Sequence, residues 1–254
     1  MSKASISFHD LHPTADDLAA DVLAGFSRAQ KSIPPKYFYD AEGSRLFDAI
    51  TELPEYYPTR TETAMLREYA DEIAKKAGTG HLLVEPGSGS CTKARILFEG
   101  LQPCAYVPMD ISRDHLHLAA QEVAVEFPWL EVHAACTDFT RLMTLPPTSP
   151  EGRRLAFFPG SSIGNFDPDA AVGFLGMIAE MVGPGGQLLI GVDLKKHKAI
   201  LEAAYDDAQG VTAAFNLNLL TRINRELGAD FELAQWRHKA LYNEARGRIE
   251  MHLV

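Results

Sequence analysis

Between residues 81 and 193 the chain alternates short apolar runs with stretches of helical spacing. No other feature constrains the fold as tightly. The runs lie at 81–85, 104–109, 130–135, 154–159 and 187–193, and helical patterns separate them at 91–99, 112–126 and 167–182. Consecutive strands joined through helices run parallel, and a parallel sheet needs cover on both faces. The expected class is α/β, with parallel core strands and helices on both sides.

The flanking sequence reads differently. Residues 14–28 and 59–77 carry apolar positions at helical spacing, as does most of 195–226. Residues 31–60 hold prolines around a group of aromatics and predict no regular structure. The runs 232–242 and 248–254 predict a hairpin over Asn243-Glu244-Ala245-Arg246-Gly247. With 254 residues, 46% of them apolar, the chain can bury a sizeable core. A net charge of −10 without a basic block disfavours binding to nucleic acid or to an anionic membrane. Cys91, Cys104 and Cys136 form no CxxC pair, so neither a metal site nor a disulfide framework is expected. No secretory signal or membrane-length apolar run is visible, and the expectation is a soluble, cytoplasmic protein.

The first apolar run leads into Val84-Glu85-Pro86-Gly87-Ser88-Gly89-Ser90-Cys91-Thr92-Lys93. Gly87 and Gly89 let a ligand approach the peptide groups, and the next helix contributes positive potential at its amino end. A dinucleotide fingerprint needs a third glycine at 92, where Thr92 stands. What remains, E-x-G-x-G, resembles the first motif of S-adenosylmethionine-dependent methyltransferases, although a plain strand-to-helix turn also fits. Asp110 ends the second run, 21 residues after Gly89. A carboxylate there can accept from both ribose hydroxyls, or can cap the next helix together with Ser112. Asp138-Phe139 follows the third run, where an acid can accept from an adenine amino group and a ring can cover the base. An ordinary loop aspartate is the alternative. Lys93 can reach a methionyl carboxylate or remain a solvated charge. Asn165, after the fourth run, offers a donor and an acceptor towards an acceptor substrate, or caps the helix that begins at Asp167-Pro168. Glu85, Asp110 and Asp138 end three successive strands, and adenosyl binding is the better reading of that series.

Five further segments carry a resemblance over residues 14–254: P-P-K-Y-F-Y-D at 34–40, L-P-E-Y-Y-P-T-R-T-E at 53–62, G-S-S-I-G-N-F at 160–166, A-Y-D-D-A-Q-G-V-T-A-A-F-N at 204–216 and R-I-E-M at 248–251. Together they resemble the histidine-specific S-adenosylmethionine-dependent methyltransferases. That family trimethylates the α-amine of L-histidine to hercynine in ergothioneine biosynthesis. The resemblance implies a Rossmann-like class I methyltransferase sheet with a smaller substrate-binding lobe, and a monomer. It divides the chain into an amino-terminal helical and aromatic segment (1–60), a cofactor-binding domain (61–195) and a substrate-binding lobe (196–254). It also implies that Gly87, Gly89, Lys93, Asp110, Asp138 and Phe139 bind S-adenosyl-L-methionine. Tyr39, Tyr56, Asn165, Tyr205 and Met251 would bind histidine, with Tyr39 and Asn165 at the reacting amine and Asn165 and Tyr205 on the substrate carboxylate.

Such residues suit the chemistry. The attacking amine must be neutral, and tyrosine and asparagine do not stabilise the ammonium form as a carboxylate would. Aromatic faces tolerate the permanent cation of the product at roughly 0.5–2 kcal/mol each. Ordinary packing of Tyr37, Tyr39, Tyr56 and Tyr57 is the alternative. The family resembled also implies a segment after position 254, with a glutamate and a serine that grip the imidazole and with the last strands of a seven-stranded sheet. Only five parallel strands are counted here, leaving 187–193 as an edge. Two other readings stand beside this one: an N-methyltransferase for another amino acid or an indole amine, and a non-catalytic cofactor-binding relative.

Overall fold

A computed structural model of the chain describes residues 6–11, 15–141 and 143–254. In chain order they form β1 (Ile6–Leu11), α1 (Ala15–Phe26), α2 (Ala41–Thr51), α3 (Tyr57–Ala77), β2 (Leu82–Pro86), α4 (Thr92–Leu101), β3 (Ala105–Asp110), α5 (Arg113–Glu126), β4 (Glu131–Thr137), β5 (Arg154–Phe158), α6 (Pro168–Val182), β6 (Gln187–Ile190), α7 (Lys198–Tyr205), α8 (Val211–Leu227), β7 (His238–Asn243) and β8 (Arg248–Leu253). Two compact units result. One comprises Thr61–Val192 with the amino-terminal strand, and the other runs up to Arg60 and resumes at Asp193–Val254.

The first unit holds a wholly parallel six-stranded sheet in the order β1-β4-β3-β2-β5-β6. Taking β2 as the first strand, the five strands β4-β3-β2-β5-β6 follow the Rossmann-like class I order, which reverses direction beside β2. Successive residues of each strand face opposite sides, so Leu83, Tyr106, Val132 and Phe157 pack under α3, α4 and α5. Leu82, Val84, Val107 and Phe158 face α6 through Phe174 and Ile178. Pro108 has no N–H to donate, and the β3–β4 register has no partner for it or for Val107.

Three expectations need correction. The sheet has a sixth strand: Ser7 pairs with His133 and Phe8 with Ala134, so residues 6–11 join the β4 edge rather than a helical segment. The stretch 31–60 is not irregular throughout. Asp40 caps α2 by accepting from the Gly43 amide at 2.7 Å, and Leu46 and Ile50 are buried. The helix expected over 195–226 is two helices. Gly210 takes a left-handed φ of 75°, and Asp207 accepts from the amides of Val211 at 3.0 Å and Thr212 at 2.7 Å to start α8. The expected hairpin is present as β7 and β8, antiparallel from His238↔Leu253 to Asn243↔Arg248. The fifth run ends as a strand at Ile190, at the sheet edge opposite β1.

The second unit packs around α8. Leu219 and Ile223 meet Leu18, Val22 and Tyr37. Phe215 joins Leu46, Ile50, Leu53 and Tyr56. Asp40 ties the cap to this helix, accepting from Asn218 Nδ2 at 2.8 Å and from Arg225 at 2.7 Å. Among the described residues no helix is long and apolar enough to cross a membrane.

Candidate active site

Parallel strands put all their carboxyl ends along one edge of the sheet, and the expected cofactor residues of the first unit are gathered there. After β2 the chain turns through Gly87 and Gly89, with φ of 70° and 50°, conformations a side chain resists. The amides of Gly87 and Ser88 donate to the Met109 carbonyl at 2.7 and 3.0 Å, which pins the loop to β3. A Cβ at Gly89 would meet nothing within 4 Å, so the backbone there faces open space. A Cβ at Gly87 would approach the Phe139 ring at 3.3 Å, so that ring lies over the glycine turn.

Asp110, at the end of β3, combines both roles that its sequence position suggests. Oδ2 accepts from the Gly89 amide at 2.9 Å, and Oδ1 accepts from the Ser112 amide at 2.9 Å. Each oxygen keeps lone-pair capacity for a further donor. Burial raises its carboxyl above the ordinary range, against the lowering influence of those two amides. Asp138 is buried at the end of β4. Its Oδ1 accepts from the Thr140 amide at 3.1 Å, and Arg141 lies 3.6 Å from Oδ2. Phe139 packs edge-on against Phe158 and Phe174.

Lys93, in the first turn of α4, is not a solvated charge. Its Nζ donates to Glu62 Oε2 at 2.6 Å, and both side chains are only 18% exposed. Glu62 also accepts from the Gly160 amide, at 3.0 and 2.8 Å to its two oxygens. Asn165 ends a 3-10 turn, Ser162–Asn165, after β5 and is exposed. Asp167, rather than Asn165, holds the cap position of α6. Beneath the glycine loop Glu85 is fully buried and accepts from the Tyr106 hydroxyl. Burial pushes its carboxyl up to about 8, so it is protonated at neutral pH.

In the second unit four of the five expected substrate residues form one cluster. Tyr39, Tyr205 and Met251 pack on the core that contains Tyr56. The Tyr56 and Tyr205 rings meet edge to face at 5.8 Å, and their hydroxyls interact. Tyr39 stands edge-on to Phe47 at 5.6 Å and to Phe215 at 5.8 Å. Burial raises the hydroxyl pKa of Tyr56 and Tyr205, which keeps both neutral. Asn165, the fifth, belongs to the first unit.

Three groups went unread in the sequence. Glu62 closes the T-R-T-E segment, but its partners lie far along the chain. Tyr106, near the start of β3, pairs with Glu85 on β2. Asp193, just past the fifth run, accepts from Tyr57 and pairs with Lys196. Its carboxyl lies below the ordinary range, because hydrogen bonds from Lys196 and Tyr57 outweigh burial. The acid-after-strand pattern that picked out Asp110 and Asp138 could have found it. No group of three His, Cys, Asp or Glu side chains suited to a metal ion occurs among the described residues.

Comparison with known proteins identifies the family. The family described as histidine-specific, SAM-dependent methyltransferase matches residues 18–254. The histidine N-alpha-methyltransferase of Mycolicibacterium smegmatis is 46% identical over 243 residues, covering 94% of this chain and 75% of that protein. Ergothioneine biosynthesis protein 1 of Schizosaccharomyces pombe is 29% identical over 228 residues, 85% of this chain and 30% of the fungal protein. The 4-dimethylallyltryptophan N-methyltransferase of Claviceps purpurea is 26% identical over 267 residues, 94% of this chain and 76% of its own. With a glycine turn and strand-end acids on a Rossmann-like sheet, and a family match over nearly its whole length, the chain belongs to the histidine-specific, S-adenosylmethionine-dependent methyltransferases.

Proposed function

We propose that this protein methylates the α-amine of L-histidine, carrying it to the trimethylated product hercynine in ergothioneine biosynthesis. The observation that carries this reading is the 46% identity, over 94% of the chain, to an enzyme named for that reaction. The cluster of buried Tyr56 with half-buried Tyr39 and Tyr205 supports it.

The residues fit S-adenosylmethionine: the space a side chain at Gly89 would fill is open, and both Asp110 oxygens retain acceptor capacity. When bound, that cofactor supplies an electrophilic methyl group on its sulfonium. We assign Gly87 and Gly89 to the close backbone approach and Asp110 to the ribose hydroxyls. Asp138 takes the adenine amino group, Phe139 covers the ring, and Lys93 grips the methionyl carboxylate. For histidine we assign Asn165 and Tyr205 to the carboxylate and Tyr56 to the imidazole side, with Tyr39 and Asn165 at the amine and Met251 as lining. Neutral hydroxyls let the amine lose its proton before attack, since none of them holds the ammonium as an anion would. Alignment is then the main task of the chain's own groups. We place this reaction in the cytoplasm, where the free thiols Cys91, Cys104 and Cys136 stay reduced.

The test is product analysis by mass spectrometry with L-histidine, histamine and L-tryptophan offered separately. Histidine should be converted to its trimethylated form while histamine, which has no carboxylate for Asn165 and Tyr205, is left. Equal methylation of histamine, or preference for tryptophan, overturns the assignment.

A further inference from the structure

Glu62 sits where the first turn of α4 and the loops after β5 and β6 converge. Its carboxylate accepts from Lys93 Nζ at 2.6 Å and from the Gly160 amide at 2.8 and 3.0 Å. The site is built to admit it. Gly191, directly after β6, has no left-handed backbone that would require glycine, yet a Cβ there would overlap Glu62 Oε1. The Gly191 amide is meanwhile fixed to the Phe158 carbonyl at 3.0 Å, so the backbone cannot yield easily. Gly160 has a left-handed φ of 79° that itself favours glycine, and a Cβ there would stand at ordinary contact distance, 3.5 Å, from Lys93 Nζ. The absent side chain at Gly191 thus makes room for the carboxylate of this ion pair.

We infer that Glu62 is a positioning residue for the amino-acid end of the cofactor: it fixes the Lys93 ammonium and the Gly160 amide in one geometry, and Gly191 is glycine to admit its carboxylate. A lysine carries a flexible four-carbon stem and three donors. One donor is committed to Glu62, which orients the other two. Without that anchor the ammonium samples several rotamers, and the Gly160 N–H loses its acceptor. The inference rests on the proposal that Lys93 grips the methionyl carboxylate.

Calorimetry with two probes separates the possibilities. S-adenosylhomocysteine carries the amino-acid end, and 5′-methylthioadenosine lacks it. Glu62→Gln should weaken the first by about tenfold, the scale of one charge-assisted bond, and leave the second within about twofold. Gly191→Ala, which displaces the carboxylate without changing any charge, should do the same. In steady-state assays both should raise KM for S-adenosylmethionine more than they lower kcat. Equal weakening of both probes by Glu62→Gln means a general loss of structure and overturns the inference. So does an unchanged S-adenosylhomocysteine affinity when Lys93→Met has weakened it. If Lys93→Met itself leaves the ratio of the two affinities unchanged, the lysine assignment falls first and this inference falls with it.

Discussion

Replacing Asp110 by asparagine separates cofactor binding from folding, because affinity should fall while stability stays nearly level. Burial holds the Asp110 carboxyl above its ordinary value. A carboxyl whose folded value exceeds its unfolded one favours folding only while protonated, and that benefit is lost as pH rises through the folded value. At neutral pH the buried charge is therefore a cost to stability, which asparagine removes. Against this, the amide keeps one acceptor oxygen and turns its NH2 towards one of the two backbone N–H groups, at Gly89 or Ser112, each now 2.9 Å from a carboxylate oxygen. One lost bond of about 1 kcal/mol acts against the relief of charge. For the ribose there is no such offset. One charge-assisted acceptor disappears, a loss of about 1.5–3 kcal/mol, or about 10- to 100-fold in affinity. Thermal melts and calorimetry with S-adenosylhomocysteine should therefore show a nearly unchanged Tm and a dissociation constant raised at least about tenfold. An affinity within about twofold of the parent refutes the ribose assignment, and a collapse of Tm refutes the charge argument.

Tyr205→Phe removes the hydroxyl assigned to the histidine carboxylate. It should lower kcat/KM for histidine by about tenfold, with S-adenosylhomocysteine affinity unchanged by calorimetry. Glu85→Gln should flatten the pH dependence of stability. With a carboxyl raised from 4.5 to about 8, Glu85 contributes stability that is complete below the lower value and lost as pH rises through the upper. Parent Tm should accordingly fall from mildly acidic to mildly alkaline pH more steeply than variant Tm, and identical slopes would remove the argument. Asp40→Ala unpairs the cap of α2 and releases Asn218 and Arg225 together. Denaturant unfolding should show a loss of about 2–4 kcal/mol.

What the sequence disclosed follows from range. Strand-end acids were legible because topology alone brings Glu85, Asp110 and Asp138 to one edge once the strands are parallel. The split at Asp207 and Gly210 carried a turn signal, an acid three residues before a glycine, that apolar spacing on both sides obscured. In α2 the pattern Leu46, Phe47 and Ile50 is helical and Asp40 is a good cap, but the neighbouring prolines carry a competing loop signal. β1 is six residues long, with Ile6 and Phe8 as its alternating apolar positions. Its hydrogen-bond partners stand in β4, and nothing local demands a strand. Glu62 was unreadable for the same reason, since its bond to Gly160 spans 98 residues.

The pairing of Ile6 with Val132 also sets an order of events. Neighbours β2 and β3 meet across a far shorter stretch, Leu82 with Ala105, and β3 meets β4 at Ala105 and Glu131. Closing the loop between β1 and β4 costs about 1.4 kcal/mol more entropy than closing the one between β3 and β4, since each doubling of length adds about 0.6 kcal/mol. The first residues of this sheet to leave the ribosome are thus among its last to find their place, waiting unpaired until a strand more than a hundred residues behind them has been made.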